Sequence, residues 1–307
     1  MITTRWKDNE AEGFNKIIEI LATTPADEIN KESTTYANWS IVKVFDANEQ
    51  IKLNGKNIDF NFLKYKYDQI SPGDQPEEDR TVKNEGVVIP YYNGVTVNYI
   101  INRNSDAQKI LRKMLNYSGR NEIEKNMFSL DNDFFIWLIN KVYTNENVIE
   151  AYNEDLHSIT LDAIKGFKGN TEDLLTKVSA NGESVMNIIS TLSFFLESRN
   201  LHQITLDLGY YDHQNIKLVL TNKGKNGTIS TYEEQYQGLF EDDQDKNTIL
   251  PKLMLLVYLE IIPILVQAYH SDLENGVWSE EENINFLKKV AEELSEKVQK
   301  RVESLQK

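Results

Sequence analysis

Catalytic residue types are sparse in this sequence, and none of them stands in a familiar catalytic pattern. The four histidines (His157, His202, His213 and His270) do not show the HxH, HxxxH or HExxH spacing of a local metal site. Because cysteine is absent, disulfides, thiolate zinc sites and cysteine nucleophiles are excluded. The chain has no glycine-rich nucleotide motif and no GxSxG serine motif. We therefore expect no bound metal and no cofactor, and the sequence gives little support to an enzyme.

One stretch does contain the residue types of a metal-dependent nuclease. Such enzymes hold Mg²⁺ with an acid on one strand and an acid-x-Lys sequence on the next strand. Asp207, Asp212 and Lys217 could supply these groups, although Asn215 stands where the second carboxylate is needed. A divergent metal-dependent nuclease of a bacterial defence system is therefore the alternative function. A solvated hairpin turn is the simpler interpretation, and it also applies to the adjacent pair Asp212-His213.

The charge balance is strongly acidic. The 307 residues include 48 Asp and Glu against 33 Lys and Arg, which gives a formal net charge of −15. This charge disfavours a general nucleic-acid binder, because such a protein has to neutralise phosphates. It favours solubility and attraction to basic surfaces. An inhibitor that mimics DNA would have this composition, and so would an ordinary acidic cytosolic protein.

The most apolar segment is Ile249–Tyr269, which is long enough to cross a bilayer as a helix. Lys252, Glu260 and Gln267 interrupt it, and a charge near a bilayer centre costs roughly 2.5–3.5 kcal/mol. The rest of the chain is polar and has no second segment of this kind. We therefore predict a buried helix, here called the core helix, rather than a membrane span. Pro263 should kink this helix or end it.

The stretch Glu280–Leu305 is predicted to form an amphipathic helix, here called the terminal helix. Ser279 and Glu282 fit a capping box at its start. Its apolar positions recur in steps of three or four residues, close to a heptad repeat. They form a set, here called the apolar stripe, that consists of Ile284, Leu287, Ala291, Leu294, Val298, Val302 and Leu305. The stripe could pack on the protein's own core, or Leu287, Leu294, Val298 and Val302 could bind a partner or a second copy.

A short acidic loop precedes the core helix and is the other candidate binding surface. Its acids are Glu241, Asp242, Asp243 and Asp245. Such a loop could attract a basic region of another protein. An acidic linker without a partner is the simpler alternative.

The pattern of polar and apolar residues predicts an α+β fold with two subdomains. In residues 1–146, the turn signals Asn54-Gly55 and Asn93-Gly94 predict antiparallel hairpins, and helices follow this β-rich part. Pro90 should place its strand at a sheet edge. Residues 71–86 should form a loop, because this stretch is rich in proline, glycine and acids.

The second subdomain, residues 147–307, should contain a β-meander packed on the long C-terminal helices, the core helix and the terminal helix. Gly166 and Gly169 should end its first strand, and Glu183–Glu197 should form a helix. The predicted strands are Ile159–Ile164, Leu201–Leu208, Ile216–Leu220 and Thr228–Tyr232.

Together these features predict a non-enzymatic acidic interaction protein that binds or inhibits another protein complex and oligomerises through helices. Abundant Asn, Lys, Ile and Tyr indicate an AT-rich genome, which fits a phage or mobile-element role in antiviral defence or counter-defence. We expect a protein partner, with a homo-oligomer possible through the terminal helix, and neither direct nucleic-acid binding nor a membrane. The opening sequence MITTRWKDNEAEG has no apolar signal core, so a cytoplasmic protein is expected.

Overall fold

The architecture is the predicted α+β class, with antiparallel strands followed by long C-terminal helices. The computed structural model describes residues 1–27, 32–119, 121–171, 177–181, 198–223, 226–241 and 248–306. The chain divides into two compact units, Met1–Met127 and Phe128–Lys307. Helix Asn132–Tyr143 therefore belongs to the second unit, whereas the sequence suggested a boundary near residue 146.

The first unit is an antiparallel sheet with helices beside it. Its strands are β1 Ile2–Asp8, β2 Thr35–Lys43, β3 Glu49–Leu53, β4 Lys56–Phe60, β5 Leu63–Ile70, β6 Thr81–Tyr92, β7 Val97–Ile101 and β8 Ile123–Lys125. Its helices are α1 Phe14–Ala22, α2 Glu77–Arg80 and α3 Ala107–Met114. The strands pair in the order β8-β1-β7-β6. Strand β6 also pairs with β5 and with β4. Strand β5 pairs in turn with β2, and β4 pairs with β3.

The two hairpin turns of the first unit form where the sequence predicts them. Asn54 and Gly55 join β3 to β4 with φ of 48° and 69°. Left-handed backbone at both central residues gives the turn whose twist matches antiparallel strands, and Asn-Gly adopts it at low cost. Asn93 and Gly94 lie in the β6–β7 turn, which the Asn93 N–H closes by donating to the Thr96 carbonyl at 3.4 Å.

Two predictions for this unit were wrong. Residues 71–86 are not one loop, because α2 interrupts them and Thr81–Gly86 pair with β5. This strand is polar because its side chains are largely exposed, and Glu85 forms a 3.2 Å ion pair with Lys66 of β5. Pro90 does not lie at an edge, since β7 pairs on one side of it and the Asn61 N–H donates to its carbonyl on the other. Its missing N–H falls where β6 changes partner from β5 to β4.

Aromatic side chains fill the core of the first unit. The Trp39 and Tyr67 rings stack with centroids 4.5 Å apart, and Tyr36 and Tyr65 flank Tyr67. Helices α1 and α3 cover this layer with their buried apolar faces. The side-chain period of two along β5 brings Tyr65 and Tyr67 to the same face of the sheet.

The second unit contains the predicted meander and the long helices. Its strands are β9 Val148–Ile149, β10 Ile159–Thr171, β11 Lys177–Asn181, β12 Ser198–Tyr210, β13 His213–Lys223 and β14 Asn226–Tyr232. Its helices are α4 Asn132–Tyr143, α5 Ile249–Leu256, α6 Ile262–Glu274 and α7 Glu280–Leu305. The strands pair antiparallel in the order β11-β10-β12-β13-β14, and β9 pairs with the start of β10.

Strand β10 does not end at Gly166 and Gly169 as the sequence suggested. It runs through both glycines to Thr171 and pairs with β12 over this length. The register shifts next to each of them, so the glycines mark β-bulges rather than the end of the strand. The predicted helix Glu183–Glu197 lies outside the described residues.

The core helix runs continuously over Ile249–Glu274 and is 67% buried within its most apolar window, as in the core of a soluble protein. Leu255 and Leu256 are buried, and Leu259 is half-buried. A π-helical turn, Val257–Ile261, joins α5 to α6, with the Ile262 N–H bonded to the Val257 carbonyl. This wider turn lies directly before Pro263, so the helix passes the proline without ending there.

Candidate functional site

The terminal helix, α7, is fixed to the second unit through its first half. Ser279 caps it by accepting the Glu282 N–H at 3.2 Å. Phe286 and Val290 are the buried residues of the helix, and the Phe286 ring packs edge-on against Tyr143 of α4 with centroids 5.4 Å apart. These two positions lie outside the apolar stripe that the sequence predicts as the contact surface.

The Asp133 carboxylate of α4 ties the start of the terminal helix to the core helix. Its Oδ2 accepts the Tyr269 hydroxyl at 2.7 Å and the Trp278 indole N–H at 2.8 Å. Its Oδ1 accepts the Asn283 amide at 2.9 Å. One side chain of α4 therefore links the core helix to the start of α7.

A second polar contact lies nearly three turns further along the helix, at Glu293. The Tyr143 hydroxyl donates to the Glu293 carboxylate, which also pairs with Lys297 at 2.6 Å. Burial, followed by this acceptor, raises the pKa of Tyr143 to about 12. The hydrogen bonds from Lys297 and Tyr143 lower the pKa of Glu293. The tyrosine thus remains a donor, and the glutamate an acceptor, throughout the neutral range.

The apolar stripe is largely exposed. Leu287 and Leu294 are half-buried, while Val298 keeps 47% and Val302 keeps 41% of its surface exposed. Ile284 and Leu305 at the two ends are 46% and 71% exposed. From Ser295 to Gln306, every side chain except that of Lys297 is exposed. The last three turns of α7 therefore present apolar side chains to solvent.

The helix has two separate contact faces. At about 100° per residue, the face that holds Phe286, Val290 and Glu293 is centred about 110° away from the apolar stripe. Packing of α7 against the unit therefore leaves the apolar stripe uncovered. The sequence signal for the inner face was available, because Phe286, Val290, Glu293 and Lys297 also recur in steps of three or four.

The acidic loop is described only at its first residue. Glu241 is exposed, and its carboxylate accepts the Gly238 N–H at 3.1 Å. Asp242, Asp243 and Asp245 lie outside the described residues, so their role stays a prediction.

Negative charge is concentrated in the second unit. Its sequence contains 29 Asp and Glu against 16 Lys and Arg, a net charge of −13. The first unit contains 19 acids against 17 basic residues, a net charge of −2. The unit that carries the terminal helix is thus also the unit that can attract a basic partner.

The alternative catalytic residues are brought together only in part. Asp207 of β12 and Lys217 of β13 are direct cross-strand neighbours. Asp212 stands in the exposed turn between these strands, about 10 Å or more along the ladder from Asp207. Asn215 has a left-handed φ of 55°, and its side-chain amide donates to the Gln237 side chain rather than turning toward Asp207 and Lys217. The hairpin thus supplies one acid and one lysine.

A neighbouring strand adds an acid and a lysine that the sequence pattern did not reveal. Lys165 of β10 forms a 3.3 Å ion pair with Asp207, and Asp162 lies nearby. Burial and the Asp207 charge raise the pKa of Asp162, while Lys165 opposes them. Both residues fall at register shifts of β10, where bulges redirect side chains. Sequence alone does not give the position of a bulge, so this pairing was not predictable.

No group of three or more His, Cys, Asp or Glu side chains within the described ranges could hold a metal ion. Asp162 and Asp207 offer two carboxylates, and Lys165 forms an ion pair with Asp207. His213 is buried and its Nδ1 lies 2.5 Å from the Tyr236 hydroxyl. Burial lowers the pKa of His213, so the ring stays neutral and shares a hydrogen bond with the Tyr236 hydroxyl in a packed structural contact.

A cleft of about 380 Å³ in the second unit lies beside the core helix. Its polar centre is the Asp272 carboxylate, which accepts the Trp137 indole N–H at 2.9 Å and pairs with Lys141 at 2.9 Å. These three groups satisfy one another, so they are not free to select a substrate.

Comparison of the sequence with protein-family models and with curated proteins found no match.

Proposed function

We propose that this protein is a non-enzymatic acidic interaction protein that binds or inhibits another protein complex, and that it self-associates through the terminal helix. One observation carries the proposal: α7 docks through Phe286 and Val290 while its apolar stripe stays exposed. An apolar stripe on an exposed helix is unfavourable in water unless a second surface covers it.

The charge distribution supports a basic protein as the partner. The second unit has a net charge of −13. Two of its segments, the acidic loop and the first turn of α7, each contain several acids within a few residues. Complementary charge speeds association and selects against acidic surfaces, and nucleic acid carries the wrong sign.

The biological setting is part of the proposal. The AT-rich composition fits a phage or mobile-element factor in antiviral defence or counter-defence. Such a factor would act in the cytoplasm, and the burial of the core helix agrees with a soluble protein there.

Capture from host cells at two salt concentrations tests the partner. We expect the tagged chain to retain a basic protein at low salt and to lose most of it at about 0.5 M salt, because exposed charges are then screened. In one variant, Glu241, Asp242, Asp243 and Asp245 are changed to their amides. It should retain at least about tenfold less of the basic protein, which corresponds to a loss of about 1.4 kcal/mol in binding free energy.

The control changes the same number of charges in the first unit, at Asp74, Glu77, Glu78 and Asp79. This control variant should retain the partner as the wild type does. Equal loss in both variants would show that only net charge matters, and capture of acidic proteins would contradict the proposed partner chemistry.

The juxtaposition of Asp207 and Lys217 supports one other candidate, a divergent metal-dependent nuclease of a bacterial defence system. It requires cleavage of nucleic acid with Mg²⁺ or Mn²⁺ that Asp207→Asn abolishes. Asp212→Asn is the matched control, since that residue lies in the exposed turn. Absence of cleavage with either metal removes this candidate.

A further inference from the structure

The apolar stripe has nearly the same spacing from either end. Counting inward, Ile284 corresponds to Leu305, Leu287 to Val302, and Ala291 to Val298, while Leu294 lies at the centre. Two copies of the helix running in opposite directions would therefore match apolar residue to apolar residue over about 32 Å. In-register pairing in the same direction would also match them, so charge has to decide the direction.

The charges of the helix favour opposite directions. Its first turn carries Glu280, Glu281 and Glu282, while Lys297, Lys300 and Arg301 lie in the second half. Parallel copies would place the acidic turns side by side and the basic turns side by side. Antiparallel copies move the acidic first turns to opposite ends of the pair and bring Lys297 of one copy to the level of Glu292 of the other. Lys300 and Arg301 come level with Lys289 and Lys288, so the preference for opposite directions comes from the acidic turns and from the Glu292–Lys297 level.

We propose that the apolar stripe is covered by the same stripe of a second copy, in an antiparallel pair with Leu294 at the two-fold axis. This inference rests on the proposed function and names the occupant of its self-association surface. A two-fold contact of this kind is self-complementary, which is the commonest arrangement of protein dimers. The angle of about 110° between the two faces lets each helix remain docked to its own unit.

Light scattering on the full chain gives the first test. We expect a mass of about 71 kDa, twice the 35.5 kDa of one chain. Val298→Asp should weaken the dimer at least about tenfold, because the carboxylate would be buried in an apolar contact. Ser304→Asp adds the same charge on another face and should change the dimer less than about twofold. A wild-type mass of 35.5 kDa at micromolar concentration overturns the proposal.

Single cysteines report the direction, since the chain has none of its own. Under oxidation, Leu294→Cys should cross-link to itself, and Val302→Cys should cross-link to Leu287→Cys but not to itself. Self-linking of Val302→Cys would show parallel helices and overturn the antiparallel pair. The capture experiment is independent: Val298→Asp should still retain the basic partner through the acidic loop, so failure of the dimer and failure of the partner proposal give different results.

Discussion

Asp133 shows how much of a local arrangement can depend on one half-buried acceptor. Its carboxylate receives donors from Tyr269, Trp278 and Asn283, which belong to three successive parts of the C-terminal region. No short motif identifies such a residue, because its donors lie about 135 to 150 positions away in the chain. In the sequence it is simply an acid in the first turn of a helix, where acids are common.

Replacing Asp133 with alanine should lower the free energy of unfolding by about 3 kcal/mol, because three donors to a charged acceptor lose their partner. Urea denaturation measures this loss. Asp131→Ala is the matched control, since that residue caps the same helix through the Phe134 N–H at 2.8 Å. Asp131→Ala should lower the free energy of unfolding by about 1 kcal/mol. Equal effects would show that Asp133 acts only through the helix end.

His213 should make stability depend on pH. Burial lowers its pKa in the folded protein below the ordinary value of 6.5, so the unfolded chain binds the proton more readily. Its contribution is therefore complete above the unfolded pKa and is lost as the pH falls below about 6.5 toward the folded value. Comparing urea midpoints at about pH 7.5 and about pH 5.5 tests this.

The His213→Gln variant should show a smaller drop between the two pH values than the wild type. The exposed His157, replaced in the same way, serves as the control and should leave the wild-type difference unchanged. A His213 variant with the full wild-type pH response would contradict the assignment.

At the scale of elements, the sequence predicts the turns and helix caps, because these features depend on neighbouring residues in the chain. Asn54-Gly55 and the cap at Ser279 depend on neighbouring residues, and both form as expected. The strand Thr81–Gly86 was missed because it is stabilised by pairing with β5 rather than by its own apolar pattern. The prediction that Gly166 and Gly169 end a strand was wrong for a similar reason, because glycine occurs both at β-bulges and at strand ends.

The terminal helix could be predicted as an element but not in its orientation. Its stripe and its inner face both have helical spacing, and only the packing against Tyr143 distinguishes them. The candidate binding residues Leu287, Leu294, Val298 and Val302 follow from periodicity alone, whereas their exposure depends on the rest of the fold.

This orientation predicts unequal effects of two alanine substitutions on one helix. Phe286→Ala should cost about 3–5 kcal/mol of unfolding free energy, because it removes a ring that is 2% exposed. Val298→Ala should change the unfolding free energy by less than about 0.5 kcal/mol under conditions where the chain is monomeric. Denaturation of dilute protein measures both, and a reversed order would mean that the stripe faces the core.

At the scale of the whole molecule, the acidic excess is a property of one unit rather than of the chain as a whole. Composition gives the total of −15, but the division into −13 and −2 requires the unit boundaries. The exposed stripe and the charge thus occur in the same unit. In the proposed dimer a second copy covers the stripe, so a basic partner would bind this unit through its acidic charge.

The acidic balance predicts a solubility minimum near the isoelectric point of about 4.8. As the carboxylates lose their charge, the electrostatic repulsion between protein molecules falls and they associate more readily. Solubility measured from pH 4 to pH 8 should therefore be lowest near this value. A minimum far from this pH would contradict control of the solubility by net charge.

Trp278 gives the molecule a built-in optical reporter. This indole is buried, it donates to Asp133, and it directly precedes the cap of the terminal helix. A shift of that helix would carry the ring toward water and move its fluorescence emission to longer wavelength. With Trp6, Trp39 and Trp137 replaced by phenylalanine, a single native fluorophore would follow the helix in real time, without a label and without knowing what has bound to it.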